Sequence, residues 1–272
     1  MAKKRAAPRA KKLLQDQGLL NAIFAEPEDD APRLVYADWL EEHDQPERAE
    51  FIRLQIDRAT RPSPEYYYPG EREKTLLAAH RLEWLSALPE WLHPRFEFHR
   101  GFPERARYVE MADFLRWDAS IWQLAPVIDM KFTDYPAVAG DYRPPEEKAA
   151  MLRALATKPE LAHLRILSLH ESGTTVADLE LIFASPYLTR LHSLDLGAAF
   201  RGPEIGRVLV CLARLPTLTN LNLEANQLGD EEVAATFRAV RAMGEALGFI
   251  VAKLNIASLG RNSVVWQVRC TT

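Results

Sequence analysis

The chain repeats one short segment three times: Leu164-Arg165-Ile166-Leu167-Ser168-Leu169, Leu191-His192-Ser193-Leu194-Asp195-Leu196 and Leu218-Thr219-Asn220-Leu221-Asn222-Leu223. Successive copies begin 27 residues apart, and weaker copies lie at 127–132 and 251–256. Alternate residues of a strand point to opposite faces, so the leucines are expected to face a shared core and the residues between them to face outward. An internal period of this length indicates a repeat architecture, in which neighbouring units bury one another's apolar faces.

The stretches between the copies predict helices at 176–184, 203–213 and 230–243. Strands that alternate with helices indicate an α/β fold with a parallel sheet. The 27-residue unit resembles the ribonuclease-inhibitor type of leucine-rich repeat. That resemblance implies a solenoid with parallel strands on its concave face and helices on its convex face. One copy continues with the Asn of that family, Asn226, where the earlier copies have Ser172 and Ala199.

A solenoid exposes the apolar faces of its first and last units, so both ends need a cap. Residues 105–115, with Tyr108 among their apolar positions, are the candidate for the first cap. The strand-like stretch 263–269 is the candidate for the second, with Trp266 covering the last repeat.

Ahead of the repeats, apolar residues at helical spacing predict a small all-α module. A first helix begins near Leu13, a second spans Ala31–Glu42, and a third spans 46–58. The expected buried set of the second helix includes Leu34 and Val35. A short connection between the second and third helices predicts an antiparallel helical hairpin.

This module contains two specific runs, Asp29–Glu42 (DDAPRLVYADWLEE) and Glu47–Gln55 (ERAEFIRLQ). They resemble the bacterial repeat-companion domain, over roughly residues 19–59. The resemblance implies a short helical module placed ahead of repeat arrays, and it implies no biochemical activity. His43-Asp44 stands where that family usually has a turn containing glycine.

Two interpretations fit the charged and aromatic residues of the module. In the first, Arg33 and Asp38 hold the two helices in register, while Tyr36 and Trp39 anchor the hairpin. In the second, Tyr36, Asp38 and Trp39 belong to a docking surface, and a partly exposed aromatic ring is the anchor for a partner.

The chain has 272 residues, of which 47% are apolar, and is long enough to bury a core as one or two domains. Changes of composition divide it into a disordered basic arm at 1–12, the helical module at 13–60, a connecting loop and helix at 61–100, and the solenoid with its caps at 101–272.

The arm carries six cations and no acid, whereas the whole chain has a net charge of −4, so the remainder has ten more acidic than basic groups. Such an arm either keeps the chain in solution or binds nucleic acid or another anionic surface through the release of counterions. Its candidate anion-binding residues are Lys3, Lys4, Arg5, Arg9, Lys11 and Lys12.

Motifs of catalysis are absent from the sequence: it contains no HExxH, GxSxG, GxGxxG or P-loop pattern. The seven histidines are scattered, and Cys211 and Cys270 have no metal-binding spacing. We therefore expect no enzymatic activity, no cofactor, no metal and no small-molecule substrate. Two cysteines cannot build a disulfide framework, and no apolar run is long enough to cross a membrane, so the expected location is the cytoplasm.

The remaining candidate is the surface formed by the outward strand positions. Polar residues occur there in any solenoid, with or without a partner, but they suit hydrogen bonding to a protein or peptide. We expect non-enzymatic protein recognition by an adaptor, scaffold or regulatory subunit; the alternative is an accessory subunit of a nucleic-acid-associated complex that uses the basic arm. Asp129, Lys131 and Thr133 are the outward positions of the first, weaker copy. The candidate partner-binding residues are Ser168, His170, Ser193, Asp195, Asn220, Asn222, Glu224, Lys253 and Asn255.

Overall fold

A computed structural model describes residues 15–61, 68–133, 144–170 and 174–199. It also describes 205–236, except residues 213, 216, 227 and 230, and residue 238. Residues 253–256 and 264–266 are described as backbone only. The fold is α/β with a mostly parallel sheet. The described residues form two compact units. The first contains those up to Pro94 together with Phe98–Phe102 and Gln123–Pro126, and the second contains the others.

The first unit is helical, as the sequence predicts. Its helices are α1 (Gln17–Ala25), α2 (Ala31–Glu42), α3 (Pro46–Thr60) and α4 (Glu71–Trp84). Helix α1 begins at Gln17 because the carboxylate of Asp16 caps it, accepting a hydrogen bond from the Leu19 N–H at 2.9 Å. Proline is the first residue of α3, a position where its missing N–H has no intrahelical partner to lose.

The buried face of α2 differs from the predicted one. Leu34 and Val35, expected inside, are 40% and 52% exposed, whereas Arg33 and Tyr36 are buried. The face of α2 that packs against the rest of the unit therefore contains the guanidinium of Arg33 and the phenol ring of Tyr36. The core that it joins consists of Leu20, Ile23, Tyr36, Ala37, Leu40, Ala49, Ile52, Ile56 and Phe102.

Arg33 is buried because its guanidinium reaches backbone acceptors. One terminal nitrogen donates to the carbonyl oxygen of Pro27, and the other donates to that of Arg100 at 3.1 Å. Arg53 joins α3 to α2 through two ion pairs: its Nη2 lies 2.7 Å from Oδ1 of Asp38, and its Nη1 lies 2.7 Å from Oε2 of Glu41. The expected role of Asp38 in holding the two helices together is therefore present, with Arg53 as its cation.

The second unit contains most of an eight-stranded sheet whose strand order follows the chain. Six strands are parallel, and the last is antiparallel to its neighbour. The strands are β1 (Phe96–His99), β2 (Phe102–Glu110), β3 (Asp129–Thr133), β4 (Ile166–Ser168), β5 (Ser193–Asp195), β6 (Asn220–Asn222), β7 (Lys253–Ile256) and β8 (Val264–Trp266). The helices between them are α5 (Met111–Phe114), α6 (Ile121–Leu124), α7 (Pro145–Ala156), α8 (Val176–Ile182) and α9 (Ile205–Leu212).

The 27-residue period is also the register of the sheet. Leu167 pairs with Leu194 and Leu194 with Leu221 on three consecutive parallel strands, and all three leucines are buried. The predicted strands and the first two predicted return helices are confirmed, as β4 to β6, α8 and α9. Residues 231–236 are helical, and the end of the predicted third helix lies outside the described residues.

The two predicted caps have different outcomes. The first predicted cap, 105–115, contains the end of strand β2 and helix α5, and three of its expected apolar residues, Val109, Met111 and Phe114, are buried. The fourth, Tyr108, is 57% exposed. The predicted stretch at 263–269 contains strand β8, which pairs antiparallel with β7. The side chain of Trp266 lies outside the described residues.

Candidate partner-binding face

Outward residues of the parallel strands form a straight row. Lys131 pairs in register with Ser168, Ser168 with Asp195, and Asp195 with Asn222. The leucines that alternate with them are buried, so the row lies on the opposite side of the sheet from the core. We use the name polar strand face for Lys131, Ser168, His170, Ser193, Asp195, Asn220, Asn222 and Glu224.

Asp195 is the centre of a hydrogen-bonded cluster on this face. Ser168 Oγ donates to its Oδ2 at 3.0 Å, and Asn222 Nδ2 donates to its Oδ1 at 2.8 Å. The backbone N–H of Gly197 also donates to Oδ1, at 3.0 Å. Three donors therefore fix the orientation of a carboxylate whose side chain is 32% exposed.

The same local turn ends three consecutive strands. The side chain of Ser168 accepts from the N–H of His170 at 3.3 Å, and that of Asn222 accepts from the N–H of Glu224 at 3.2 Å, as Asp195 accepts from Gly197. Short polar side chains that bond the backbone two residues ahead favour such turns. The sequence period thus repeats a hydrogen bond as well as a strand.

Gly197 is required by the close approach of two neighbouring side chains. A Cβ atom at this position would overlap the imidazole Nδ1 of His170 and would lie 3.2 Å from Asn222 Nδ2. Because Gly197 has no Cβ atom, the imidazole of His170 fits there, with its Nδ1 3.6 Å from Asp195 Oδ1. In the described part of the chain, His170 is the one basic side chain that pairs with Asp195.

Asp195 and Glu224, predicted to be neighbours across repeats, lie diagonally, Asp195 on β5 and Glu224 in the turn after β6. The register aligns Asp195 with Asn222, two residues before Glu224. The backbone carbonyl of Glu224 accepts from the Ala198 N–H at 2.8 Å, and the Glu224 side chain is partly exposed.

Asp129, predicted to face outward freely, is buried beneath two arginines. Both terminal nitrogens of Arg107 donate to its carboxylate at 2.6 Å, and Arg105 Nε lies 3.4 Å from Oδ2. Arg107 Nε is also 3.3 Å from a carboxylate oxygen of Glu97. Burial acts to lower the pKa of Arg107, but the hydrogen bonds and charges of Asp129 and Glu97 outweigh it and raise that pKa. This ion-pair cluster is internally neutralised.

Tyr108 stands out beside Lys131 because of an irregularity in β2. The pairing of β2 with β3 shifts register between Ala106 and Val109, which is a β-bulge, and Tyr108 within it has φ of +54°. Bulges re-aim a side chain, and a bulky residue in the left-handed region is strained. The ring is largely exposed, with the Lys131 ammonium 4.9 Å from its centroid.

The predicted docking residues of the helical module have structural contacts. Tyr36 is buried, and its ring stacks on Trp39 with centroids 5.8 Å apart. Trp39 is half-buried and stacks in turn on His43 at 4.1 Å. Asp38 is paired with Arg53. The prediction of a docking residue is wrong for Tyr36, because its buried ring offers no surface to a partner.

The remaining predicted site residues are described only in part. The backbone of Lys253 pairs with Asn220 and that of Asn255 with Asn222, which extends the face onto β7. Their side chains lie outside the described residues, as do all residues of the basic arm at 1–12.

The titratable groups offer limited chemistry in the ranges described. The hydroxyl of Ser168 donates its proton to Asp195 Oδ2 at 3.0 Å. No group of three or more His, Cys, Asp or Glu in those ranges is placed to hold a metal ion. Cys211 is buried, and burial raises the pKa of its thiol.

Two residues that shape this face, Gly197 and Tyr108, are not among the predicted binding residues, although the sequence predicts an outward position for Gly197. Gly197 interrupts the polar residues at outward positions, a signal of close approach by neighbouring side chains. Tyr108 has no comparable signal, because a bulge depends on how β2 pairs with β3.

Comparison with protein-family models, with curated proteins and with solved structures finds no match for this chain. Among the helices that the structure describes, none has both the length and the apolar character needed to span a bilayer.

Proposed function

We propose that this protein is a non-enzymatic recognition module, an adaptor, scaffold or regulatory subunit, that binds a protein partner through the polar strand face. The observation that carries this proposal is the fixed row of polar groups, above all the partly exposed Asp195 carboxylate held by three donors. Groups that are already oriented lose little freedom when a partner binds, so their hydrogen bonds contribute more to affinity.

We further propose that the repeating units form a leucine-rich-repeat solenoid of the ribonuclease-inhibitor type, preceded by a helical module of the repeat-companion kind, in a bacterial cytoplasmic protein. The buried leucines at a 27-residue period support the solenoid. Asn226 also supports it, because its buried amide donates to the carbonyl oxygens of Leu196 and Leu223, both at 2.9 Å, and so joins two successive units.

The test is capture of partners from native lysate on three full-length proteins. Ser193→Trp places a bulky ring in the middle of the face and should abolish capture of the partner. Ala184→Trp, an exposed position after α8, is the matched control and should capture as much as wild type. Equal capture by the two tryptophan variants would contradict the proposal.

Replacing the six cations of the arm by glutamine distinguishes protein recognition from the alternative function, that of a nucleic-acid-associated subunit. Under our proposal this variant retains the partner protein. Loss of bound nucleic acid from this variant, together with unchanged capture by Ser193→Trp, would instead favour the nucleic-acid-associated subunit.

A further inference from the structure

The polar strand face carries a cation on β3 and an anion on β5, which we call the cationic end and the anionic end of this charge pair. Lys131 lies on β3 and Asp195 on β5, in the same row, with Ser168 between them. Adjacent strands are about 4.8 Å apart, so these two positions are separated by roughly 10 Å. Glu224, two residues after the end of β6, adds a second acid diagonal to Asp195.

The ammonium of Lys131 is available to a partner, whereas the nearby arginine Arg107 is already paired with carboxylates. Arg107 is held by Asp129 and Glu97, whereas the Lys131 ammonium contacts the Tyr108 ring and pairs with no carboxylate of the described residues. An anionic group of a partner can pair with the ammonium of Lys131, and the apolar part of the same partner can pack on the exposed ring of Tyr108. Tyrosine is among the residues that dominate binding energy in protein interfaces.

The anionic end is fixed by neutral donors. The three hydrogen-bond donors that orient the Asp195 carboxylate, Ser168 Oγ, Asn222 Nδ2 and the Gly197 N–H, are all neutral, and the imidazole Nδ1 of His170 lies 3.6 Å from its Oδ1. A bound cation would therefore form a charge-assisted hydrogen bond, which is stronger than one between neutral groups.

We propose that the polar strand face binds a protein segment in one charge orientation, with an acidic side chain on Lys131 and a basic side chain on Asp195. This inference rests on the proposed function and adds the chemistry of the partner to it. A segment lying across the strands with the opposite order places like charges together at both ends, which disfavours that orientation.

The experiment is selection of a phage-displayed library of random 12-residue peptides on the full chain. Wild type and the charge-swapped Lys131→Glu/Asp195→Lys variant are selected in parallel. We expect peptides selected on wild type to carry an acidic and a basic residue at a recurrent spacing. Peptides selected on the swapped variant should bind wild type at least about tenfold more weakly than they bind the swapped variant. The neutral variant Lys131→Gln/Asp195→Asn removes both charges, and asparagine keeps the shape of the aspartate; it should lower the affinity of wild-type-selected peptides by about tenfold.

The steric variant Ser193→Trp distinguishes the two levels of the proposal. Peptides that lose binding to Ser193→Trp but bind the neutral variant as tightly as wild type would overturn the charge orientation and leave the proposed function standing. Peptides that bind Ser193→Trp as well as wild type, or a selection that enriches none, would overturn both. Should the swapped variant fail to fold, the neutral variant alone decides.

Discussion

The side-chain amide of Asn222 donates to the carboxylate of Asp195 at 2.8 Å, and the two residues are 27 positions apart in the chain. The same offset separates Ser168 from Asp195, which are joined by a hydrogen bond of 3.0 Å. A period that is visible in the leucines therefore also places polar side chains in contact. Because each contact crosses between units, it links the surface chemistry of the face to the stacking of the repeats.

Gly197→Ala is expected to destabilise the protein through a clash with His170. The added Cβ overlaps the imidazole, and overpacking of this kind typically costs about 1–3 kcal/mol of unfolding free energy. In a His170→Ala background the overlap with the imidazole disappears and only the 3.2 Å contact with Asn222 Nδ2 remains, so the same substitution should cost less than about 1 kcal/mol. Urea denaturation of the four proteins gives the coupling as a double-mutant cycle.

Gly206→Ala is the matched control for this cycle. Gly206 lies in α9 with nothing within 4 Å of an added Cβ, so alanine should leave stability unchanged or raise it by up to about 1 kcal/mol. Equal destabilisation by Gly197→Ala with and without the imidazole would show that the glycine serves another purpose.

Asn226→Ala is expected to lower the unfolding free energy by about 1–3 kcal/mol. The substitution leaves the buried carbonyl oxygens of Leu196 and Leu223 without these donors, and a buried acceptor that loses its partner carries the cost of desolvation. The control is Asn220→Ala, whose half-buried amide donates only a 3.3 Å bond to Thr219 Oγ1. Denaturation midpoints that coincide for the two variants would rule out a stabilising role for Asn226.

The parts of this protein that could be predicted depend on local periodicity. Leu167, Leu194 and Leu221 recur at a fixed spacing, and one buried face leaves a strand few alternative registers. The positions of α2 and α3 followed from the same kind of pattern. Sequence reasoning also found Asp195, because it occupies an outward position between two of the repeated leucines.

The features that escaped prediction depend on distant partners. Arg33 is buried since one of its acceptors is the carbonyl of Arg100, 67 residues away in the chain. Leu34 and Val35 are consequently displaced to the surface, although their hydrophobicity favoured the core. Tyr108 is exposed because the β2–β3 pairing contains a bulge, which no run of residue types announces.

Arg48→Met is expected to leave the stability of the helical unit within about 1 kcal/mol of wild type or to raise it. Burial lowers the pKa of Arg48 to about 10, so the folded state holds the charged form at a cost throughout the neutral range. Its Nη1 is buried without a hydrogen-bond acceptor, and its guanidinium carbon lies 4.5 Å from the Trp84 ring centroid. Methionine keeps the volume and removes both costs.

Arg48→Ala is the comparison for that variant. It leaves a cavity beside Phe51, Trp84 and Phe98, so it should lower the unfolding free energy by about 2–4 kcal/mol. Wild type should also gain stability relative to Arg48→Met as the pH rises above about 10, because the folded state then releases the proton before the unfolded state does. A methionine variant as unstable as the alanine variant would show that the charge itself is stabilising.

Tyr108→Gly is expected to be more stable than Tyr108→Ala by about 1 kcal/mol. Both variants lose the same exposed ring, so the difference between them isolates the backbone at φ of +54°. Glycine adopts this region freely, whereas alanine there carries a steric cost of about 1–2 kcal/mol. At Ser193, a strand position outside the left-handed region, the order should reverse, with alanine favoured by roughly 0.5–1 kcal/mol. Thermal or urea unfolding of the four variants measures both differences, and the same order at the two positions would mean that Tyr108 is not held in a strained conformation.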